Sequence, residues 1–315
     1  MFAICLKASH TFGMGHFFRM LNFINVLLKN KKEYVFLINN NEYVIQILET
    51  KKIRYEILDI DCTNDWETAI INKYSIEYWI NDRLNTNAQH AINIKKNNCK
   101  LINFDDFGSE AKLCDINICG LYFQHKNIEG RRVLKGIEYL ILNQEIIKFQ
   151  KQRYRIKNIL VSLGGSDTYG VTVRVVKILK KYKIKATIHL GPSFKHLNQL
   201  QQEMTSDYKI ITKIPSLIKE FDKYDLAITG GGITPFEANA SGLPCLIIAN
   251  ELFEIQSGEF LQELQTSRFL GYYTNIKEDI FSNLFQLDIT KMSLNGLEKI
   301  KLDAANKIYN EIIRL

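Results

Sequence analysis

The chain has 315 residues, enough for two domains of ordinary size, and 46% of them are hydrophobic, enough for sizeable cores. Its 41 basic and 34 acidic residues leave a formal charge of +7, with the lysines scattered at helix ends (Lys29, Lys31 and Lys32; Lys180, Lys181, Lys183 and Lys185). That balance suits anionic small molecules and argues against a nucleic-acid groove, which needs a basic stripe with exposed aromatics. No apolar run approaches membrane-spanning length, and the N-terminal apolar run is too short for a signal peptide.

In chain order, residues 2–6 form a continuous apolar run, as in a strand buried on both faces. The loop Ser9-His10-Thr11-Phe12-Gly13-Met14-Gly15 follows, then a helix over 17–28 with apolar residues at helical spacing and His16 at its start. Strands are expected at 35–38, 55–60, 78–80, 100–104, 115–119 and 139–142, with helices near 44–48, 66–72 and 88–97 between them. The polar segment 150–155 reads as a linker, which divides the chain into 1–150 and 151–315. The second half repeats the plan, with strands near 159–163, 187–190, 210–211, 226–228, 245–248 and 272–273. Helices are expected at 171–180, 217–221, 258–265 and, as one long final helix, 293–313, which is free to pack back on the first domain. Alternating strands and helices imply parallel sheets covered on both faces. The six cysteines lie mostly in apolar runs without a Cys-x-x-Cys pair, so they read as reduced thiols of a cytoplasmic protein rather than a zinc site.

Two stretches carry the chemistry. In Thr229-Gly230-Gly231-Gly232-Ile233-Thr234-Pro235-Phe236-Glu237 a strand runs through glycines into a helix. Thr234 is the expected N-cap, Pro235 suits the first turn, and Glu237 stands where a capping box closes. Such a loop favours an anion, most often a phosphate, and Glu237 could then accept from ribose hydroxyls. Gly164-Gly165-Ser166 has the composition of a phosphate loop without the lysine of a P-loop. The second stretch is the first-strand loop ending in His16. A helix start disfavours a charged imidazole, so His16 suits a general base. His10, His90 and His125 read as loop or surface residues. Asp105-Asp106 follows a strand end; Asn250 and Gln256 lie beyond another.

Taken together, Gly13-Met14-Gly15-His16-x-x-Arg19, Phe104-Asp105-Asp106, Leu163-Gly164-Gly165-Ser166-Asp167, Gly231-Gly232-Ile233-Thr234-x-x-Glu237-Ala238, Gly242-Leu243-Pro244 and Gln256 resemble one family over nearly the whole chain. It is the UDP-2,4-diacetamido-2,4,6-trideoxy-β-L-altropyranose hydrolases of pseudaminic acid biosynthesis, related to glycosyltransferase-like spore-coat polysaccharide proteins and, more distantly, to the peptidoglycan N-acetylglucosaminyltransferase. The resemblance implies an α/β GT-B fold, two Rossmann-like domains facing across a cleft. It implies UDP on the C-terminal domain at Gly164, Gly165, Ser166, Gly231, Gly232, Ile233, Thr234 and Glu237, with no metal or other cofactor. On the N-terminal domain it implies His16 as the base that activates water for inverting release of UDP.

The sugar or acceptor side would comprise Gly13, Gly15, Lys7, Arg19, Asp82, Arg83 and Asp105, joined by Asn250 and Gln256. The chain departs from the family at Lys7, at Asn81-Asp82-Arg83 and at Asn143. Lys7 and Arg83 would suit an anionic sugar or acceptor. The alternatives are an inverting glycosyltransferase using a sugar or lipid-linked acceptor, peripheral to the inner membrane surface, and a non-catalytic nucleotide-sugar-binding protein.

Overall fold

The computed structural model of the protein describes residues 1–7, 15–62, 64–121, 123 and 127–315. It divides into two units, Met1–Asn143 with Asp303–Leu315, and Gln144–Leu302. In the first unit β1 (Phe2–Leu6), α1 (Gly15–Lys29), β2 (Tyr34–Ile38), α2 (Glu42–Thr50), β3 (Tyr55–Ile57), α3 (Trp66–Tyr74), β4 (Tyr78–Asp82), α4 (Ala88–Lys96), β5 (Lys100–Phe104), β6 (Ile116–Cys119) and β7 (Val133–Lys135) follow in turn. Their parallel sheet runs β3-β2-β1-β4-β5-β6-β7 among the described residues.

The apolar run of β1 is explained by cover on both faces. Phe2, Ile4 and Leu6 pack with Phe17, Met20, Phe23 and Leu27 of α1, and with a helix at Ala304–Ile312. Ala3 and Cys5 point the other way, to Ile70 and Ile71 of α3, Trp79, and Ile94 of α4. Each fully buried Phe, Ile, Leu or Met among them contributes about 1.5–3 kcal/mol.

The second unit carries β8 (Ile159–Ser162), α5 (Val171–Lys181), β9 (Ala186–His189), α6 (Leu197–Glu203), β10 (Tyr208–Ile211), β11 (Leu226–Thr229), α7 (Thr234–Ala240), β12 (Cys245–Ala249), α8 (Glu254–Glu263), β13 (Ser267–Tyr272) and α9 (Ile289–Lys299). Its sheet, again parallel, runs β10-β9-β8-β11-β12-β13. The chain then returns to the first unit as α10 (Ala304–Ile312), whose buried Ile308 and Ile312 join the α1 face.

Several sequence expectations need correction. The division falls at Asn143/Gln144, not 150/151. The polar segment is no loose linker, because Arg153 is 1% exposed. Its guanidinium donates to the carbonyls of Lys151, Phe221, Tyr224 and Ser241, and its backbone N–H donates to Ser293 Oγ at 2.9 Å. The long final helix is two, because Ile300 leaves α9 in an extended conformation and is itself buried. The strand expected at 139–142 is a 3-10 turn at Ile137–Tyr139; the edge strand is β7, ended by Gly136 at φ 126°. Helix α8 begins four residues before Gly258, which lies inside it against the Phe269 ring.

Candidate functional site

In each sheet the chain builds outward from a central strand in one direction, then returns to build in the other. The reversal falls between β1 and β4 in the first unit and between β8 and β11 in the second. Crevices beyond the carboxyl ends of strands at such points are where open α/β sheets bind ligands.

In the first unit that point holds a pocket of about 220 Å³ lined by Lys7, His16, Asp61 and residues 82–85. His16 and Arg19 lie one turn apart on the first turns of α1, so both reach the same place. That place is Asp82, the last residue of β4, whose side chain is fully buried. His16 Nδ1 lies 2.6 Å from Asp82 Oδ1, while Arg19 donates from Nε to Oδ2 at 2.8 Å and from Nη2 to Oδ1 at 2.5 Å. Arg19 Nη1 donates to Asp105 Oδ2 at 2.5 Å.

Burial works against a charged Asp82, but the Arg19 guanidinium and the His16 hydrogen bond outweigh it and hold the carboxyl below its ordinary value. Arg19 likewise stays protonated against burial because Asp105 and Asp82 flank it. His16 Nδ1 has two neighbours, the Asp82 carboxylate at 2.6 Å, which only accepts, and Arg19 Nη2 at 3.0 Å, which only donates. The shorter contact, to the carboxylate, places the proton on Nδ1, with Arg19 Nη2 directed to Asp82 Oδ1. In the neutral imidazole that tautomer leaves the lone pair on Nε2, and the ring is 21% exposed. An imidazole oriented by a buried carboxylate is equipped to take a proton from a hydroxyl or a water.

Asp105 takes the left-handed conformation, φ 48°, which aspartate tolerates and which follows directly on the end of β5. The pocket wall also holds Leu84 at φ 69°, a costly conformation for a bulky residue of the kind found at functional sites. Lys7 and Arg83 both bind Asp61. Lys7 Nζ donates to Oδ2 at 2.5 Å; Arg83 Nη2 donates to Oδ1 at 3.3 Å and to the Ile60 carbonyl at 2.9 Å. One carboxylate therefore offsets part of the positive charge that the sequence suggested for an anionic ligand.

In the second unit the glycine loops follow β8 and β11. Gly164 has φ 94°, and a side chain on Gly164 or Gly165 would point into open space. A side chain on Gly191, in the loop after β9, would collide with the Gly165 carbonyl at 2.3 Å, so bare backbone is required there. Ser166 is exposed and bonds Thr168. Asp167 caps α5, accepting from Val171 N–H at 2.7 Å and Thr172 N–H at 2.8 Å.

The capping box expected at Thr234 and Glu237 does not form. Thr234 is already helical, Ile233 precedes it in a helical conformation, and no side chain caps α7. Pro235 and the buried Phe236 seat that turn in the core, so the cap is unnecessary. Glu237 is partly exposed by surface area, yet burial of its carboxyl pushes it up to about 7.

A residue that sequence reasoning passed over is Glu254, at the start of α8. Its carboxylate accepts from Gly231 N–H at 3.2 Å and Asn250 N–H at 2.7 Å, pinning the β11 loop to the β12 loop. Asn250 donates to the Leu163 carbonyl at 3.4 Å, while its Oδ1 is buried without a partner among the described residues. Gln256 is exposed on α8. Nothing in the spacing of Glu254 from the glycines, over twenty residues apart, marks the contact.

Gly13, His10 and His125 lie outside the described residues; Gly15 opens α1. His90, read from sequence as a surface residue, is 3% exposed inside α4. Phe17 is core while Phe18 is exposed. Cys5, Cys99, Cys114, Cys119 and Cys245 are free and buried, and burial pushes the thiols of Cys5 and Cys99 up to about 11. Among the described residues no helix is long and apolar enough to cross a membrane.

No model of a known protein family matches the chain. An uncharacterized protein of Methanocaldococcus jannaschii is 28% identical over 98% of this chain. The spore coat polysaccharide biosynthesis protein SpsG of Bacillus subtilis is 27% identical over 57% of it. The chain spans 66% and 57% of those two relatives' own lengths. Among solved structures, Acinetobacter baumannii MurG superposes with a TM-score of 0.71 at 13% identity, covering 100% of this chain and 99% of that one. A glycosyltransferase from Rickettsia africae gives 0.69 at 13% identity, covering 99% and 97%. A UDP-GlcNAc 2-epimerase from Neisseria meningitidis gives 0.61 at 14% identity, covering 100% of both chains. At these identities the likeness is one of fold, and that fold, two parallel-sheet Rossmann-like halves, is GT-B.

Proposed function

We propose that the protein is an inverting glycosyltransferase that uses a nucleotide-sugar donor, with a role in surface polysaccharide synthesis. The observation that carries this reading is the His16–Asp82 pair at the switch point of the first sheet. In the proposed reaction His16 Nε2 takes the proton of an acceptor hydroxyl as its oxygen attacks the anomeric carbon. Asp82 stabilises the imidazolium that forms, and the nucleoside diphosphate leaves. The leaving diphosphate would be held by backbone N–H groups of the loops at Gly164, Gly165 and Ser166 and at Gly232, Ile233 and Thr234, with Glu237 toward the ribose, while the Gly231 N–H stays with Glu254. No metal has a part in this scheme.

The pocket beside His16, about 220 Å³, is smaller than the roughly 300–1,000 Å³ of a whole-ligand site. It suits the reacting end of an acceptor, with Lys7, Arg83 and Asn85 as its polar lining. The acceptor is a sugar or a lipid-linked sugar.

The hydrolase expected from sequence differs only in placing water where the acceptor hydroxyl would be. SpsG's role in spore coat polysaccharide biosynthesis and the glycosyltransferases among the solved neighbours favour transfer. Release of UDP from UDP-N-acetylglucosamine and from UDP-2,4-diacetamido-trideoxy sugars decides the matter. Release that requires a sugar acceptor and disappears in His16→Ala supports the reading. Equal release in water alone supports hydrolysis instead. Nucleotide binding by calorimetry without turnover under any acceptor would overturn both.

A further inference from the structure

On the face of β4 opposite Asp82 lies a buried chain of polar side chains that the proposed reaction does not use. Trp79 and Asn81 share that face, two residues apart, while Asp82 points to α1. The chain runs from Glu67 of α3 through His90 of α4, Asn81 and Asn103 to Asp106, and all five are at most 3% exposed.

Its hydrogen-bond directions follow from Asp106. That carboxylate accepts from Thr86 N–H at 3.1 Å and Gly108 N–H at 2.9 Å through Oδ1, and from the Asn103 amide through Oδ2. The Asn103 Nδ2 is therefore committed, and its Oδ1 accepts from Asn81 Nδ2 at 3.1 Å. Asn81 Oδ1 is thereby turned the other way, where Trp79 Nε1 donates to it at 2.9 Å. The same oxygen lies 3.1 Å from His90 Nε2. An oxygen already fixed as an acceptor requires a proton on that nitrogen. On its other side His90 Nδ1 lies 2.6 Å from Glu67 Oε1, and Asn93 Nδ2 donates to Glu67 Oε2 at 2.9 Å. One more proton must lie between Nδ1 and Oε1.

We infer that the Glu67–His90 pair keeps both of these protons at neutral pH, so that the pair is electrically neutral, and that through Asn81 it is a positioning pair for Asp82. The charged and titratable groups around it are Glu67 from α3, Arg83 at the end of β4, Asp106 beyond β5, and the Cys5 thiol of β1, which feels Glu67 and Arg83. Burial, the largest influence, together with Arg83 lowers His90 below its ordinary value against the hydrogen bond and charge of Glu67 and the charge of Asp106. The second proton is therefore inferred from the hydrogen-bond pattern, which calls for one on each side of the ring. Burial penalises a lone imidazolium heavily but a neutral pair far less, whereas a bare Glu67 carboxylate beside a neutral His90 would be a buried charge with the Asn93 amide as its donor and no cation against it. The end of β4 is thus gripped from both faces: His16 and Arg19 hold Asp82, and Glu67 with His90 holds Asn81. The value of this grip for catalysis rests on the reading of His16 as the base; the protonation itself does not.

The test is NMR of the whole protein labelled with 15N-histidine, at about pH 8, above the ordinary histidine value near 6.5. Assignment comes from His90→Gln and His16→Ala. The expected result is an Nε2–H protected from exchange together with a second, strongly downfield proton between Nδ1 and Glu67, and no His90 titration near the ordinary value. An Nε2–H without that second proton overturns the inference. An unprotonated Nε2, or an ordinary titration, overturns the inference whatever the reaction is. In Glu67→Gln, whose amide can donate to Nδ1, the proton between Nδ1 and residue 67 is expected to be lost at that pH while Nε2–H, still required by Asn81 Oδ1, persists, and the His16 Nδ1–H signal is expected to shift. A fall in kcat of roughly tenfold to a hundredfold with KM kept is expected to accompany them. Should Glu67→Gln not fold, Trp79→Phe removes the indole donor that fixes Asn81, with the same shift at His16 expected. A lower melting temperature with His16 signals and kcat unchanged overturns the positioning role.

Discussion

Asp82 shows what one residue's surroundings do to the proposed chemistry. Asp82→Asn keeps the shape but cannot hold His16 in the tautomer that leaves Nε2 bare. Turnover is expected to fall about 10²- to 10⁴-fold with nucleotide binding by calorimetry unchanged. The same carboxylate contributes to stability. Its folded value lies below the unfolded one, about 3.9, so its contribution is whole above about pH 4 and is lost as pH falls through the folded value. Acid unfolding followed by circular dichroism should accordingly be less steep in Asp82→Asn.

Glu237 has the opposite sign. Its folded value is pushed up to about 7, so stability drains away as pH rises from the unfolded value, about 4.3, to that point. Glu237→Gln should melt higher than the wild type at about pH 8 and nearly the same at about pH 4. His16 could be singled out from sequence because it stands beside glycines at a helix start. Asp82 was named only for the sugar or acceptor side, and its pairing with His16 could not be read, because Leu6 and Asp82 become register neighbours only when β1 and β4 pair across seventy-odd residues of chain.

At the scale of elements, β1, α1 and the strands beyond the glycine loops were legible because two-sided burial leaves unbroken apolar runs. The edges were not. Strand β7 has three residues and one of them buried, too little pattern to read. Helix α6, with Leu200 as its one buried residue, was missed for the same reason. Gly258 misled, since a glycine suggests a helix end when it actually makes room for a strand. A side chain there would come within 2.3 Å of the Phe269 ring, so Gly258→Ala should push α8 off β13. A loss of about 1–3 kcal/mol in urea unfolding is expected, more than the small gain from helix propensity.

For the molecule as a whole, two Rossmann-like halves could be read from the repeated strand–glycine loop–helix plan, but not where one yields to the other. That depends on Arg153, a charged residue in a polar run that sequence alone assigns to solvent. It ties together backbone carbonyls from three segments of the second unit and, among the described residues, has no carboxylate in contact, and burial lowers it to about 10. Arg153→Met strands those carbonyls and is expected to cost the second unit about 3–5 kcal/mol, read as loss of its amide-exchange protection ahead of the first unit's.

The return of α10 to the α1 face has a consequence for the order in which the chain acquires its structure during synthesis. Residues 1–143 emerge first, yet the surface of Phe23 and Leu27 meant for Ile308 and Ile312 stays bare until all of 144–302 has been made. The second unit is contiguous in sequence and can close as soon as it clears the ribosome. The half that begins first is therefore the half that finishes last, and in the interval it offers an apolar face to chaperones.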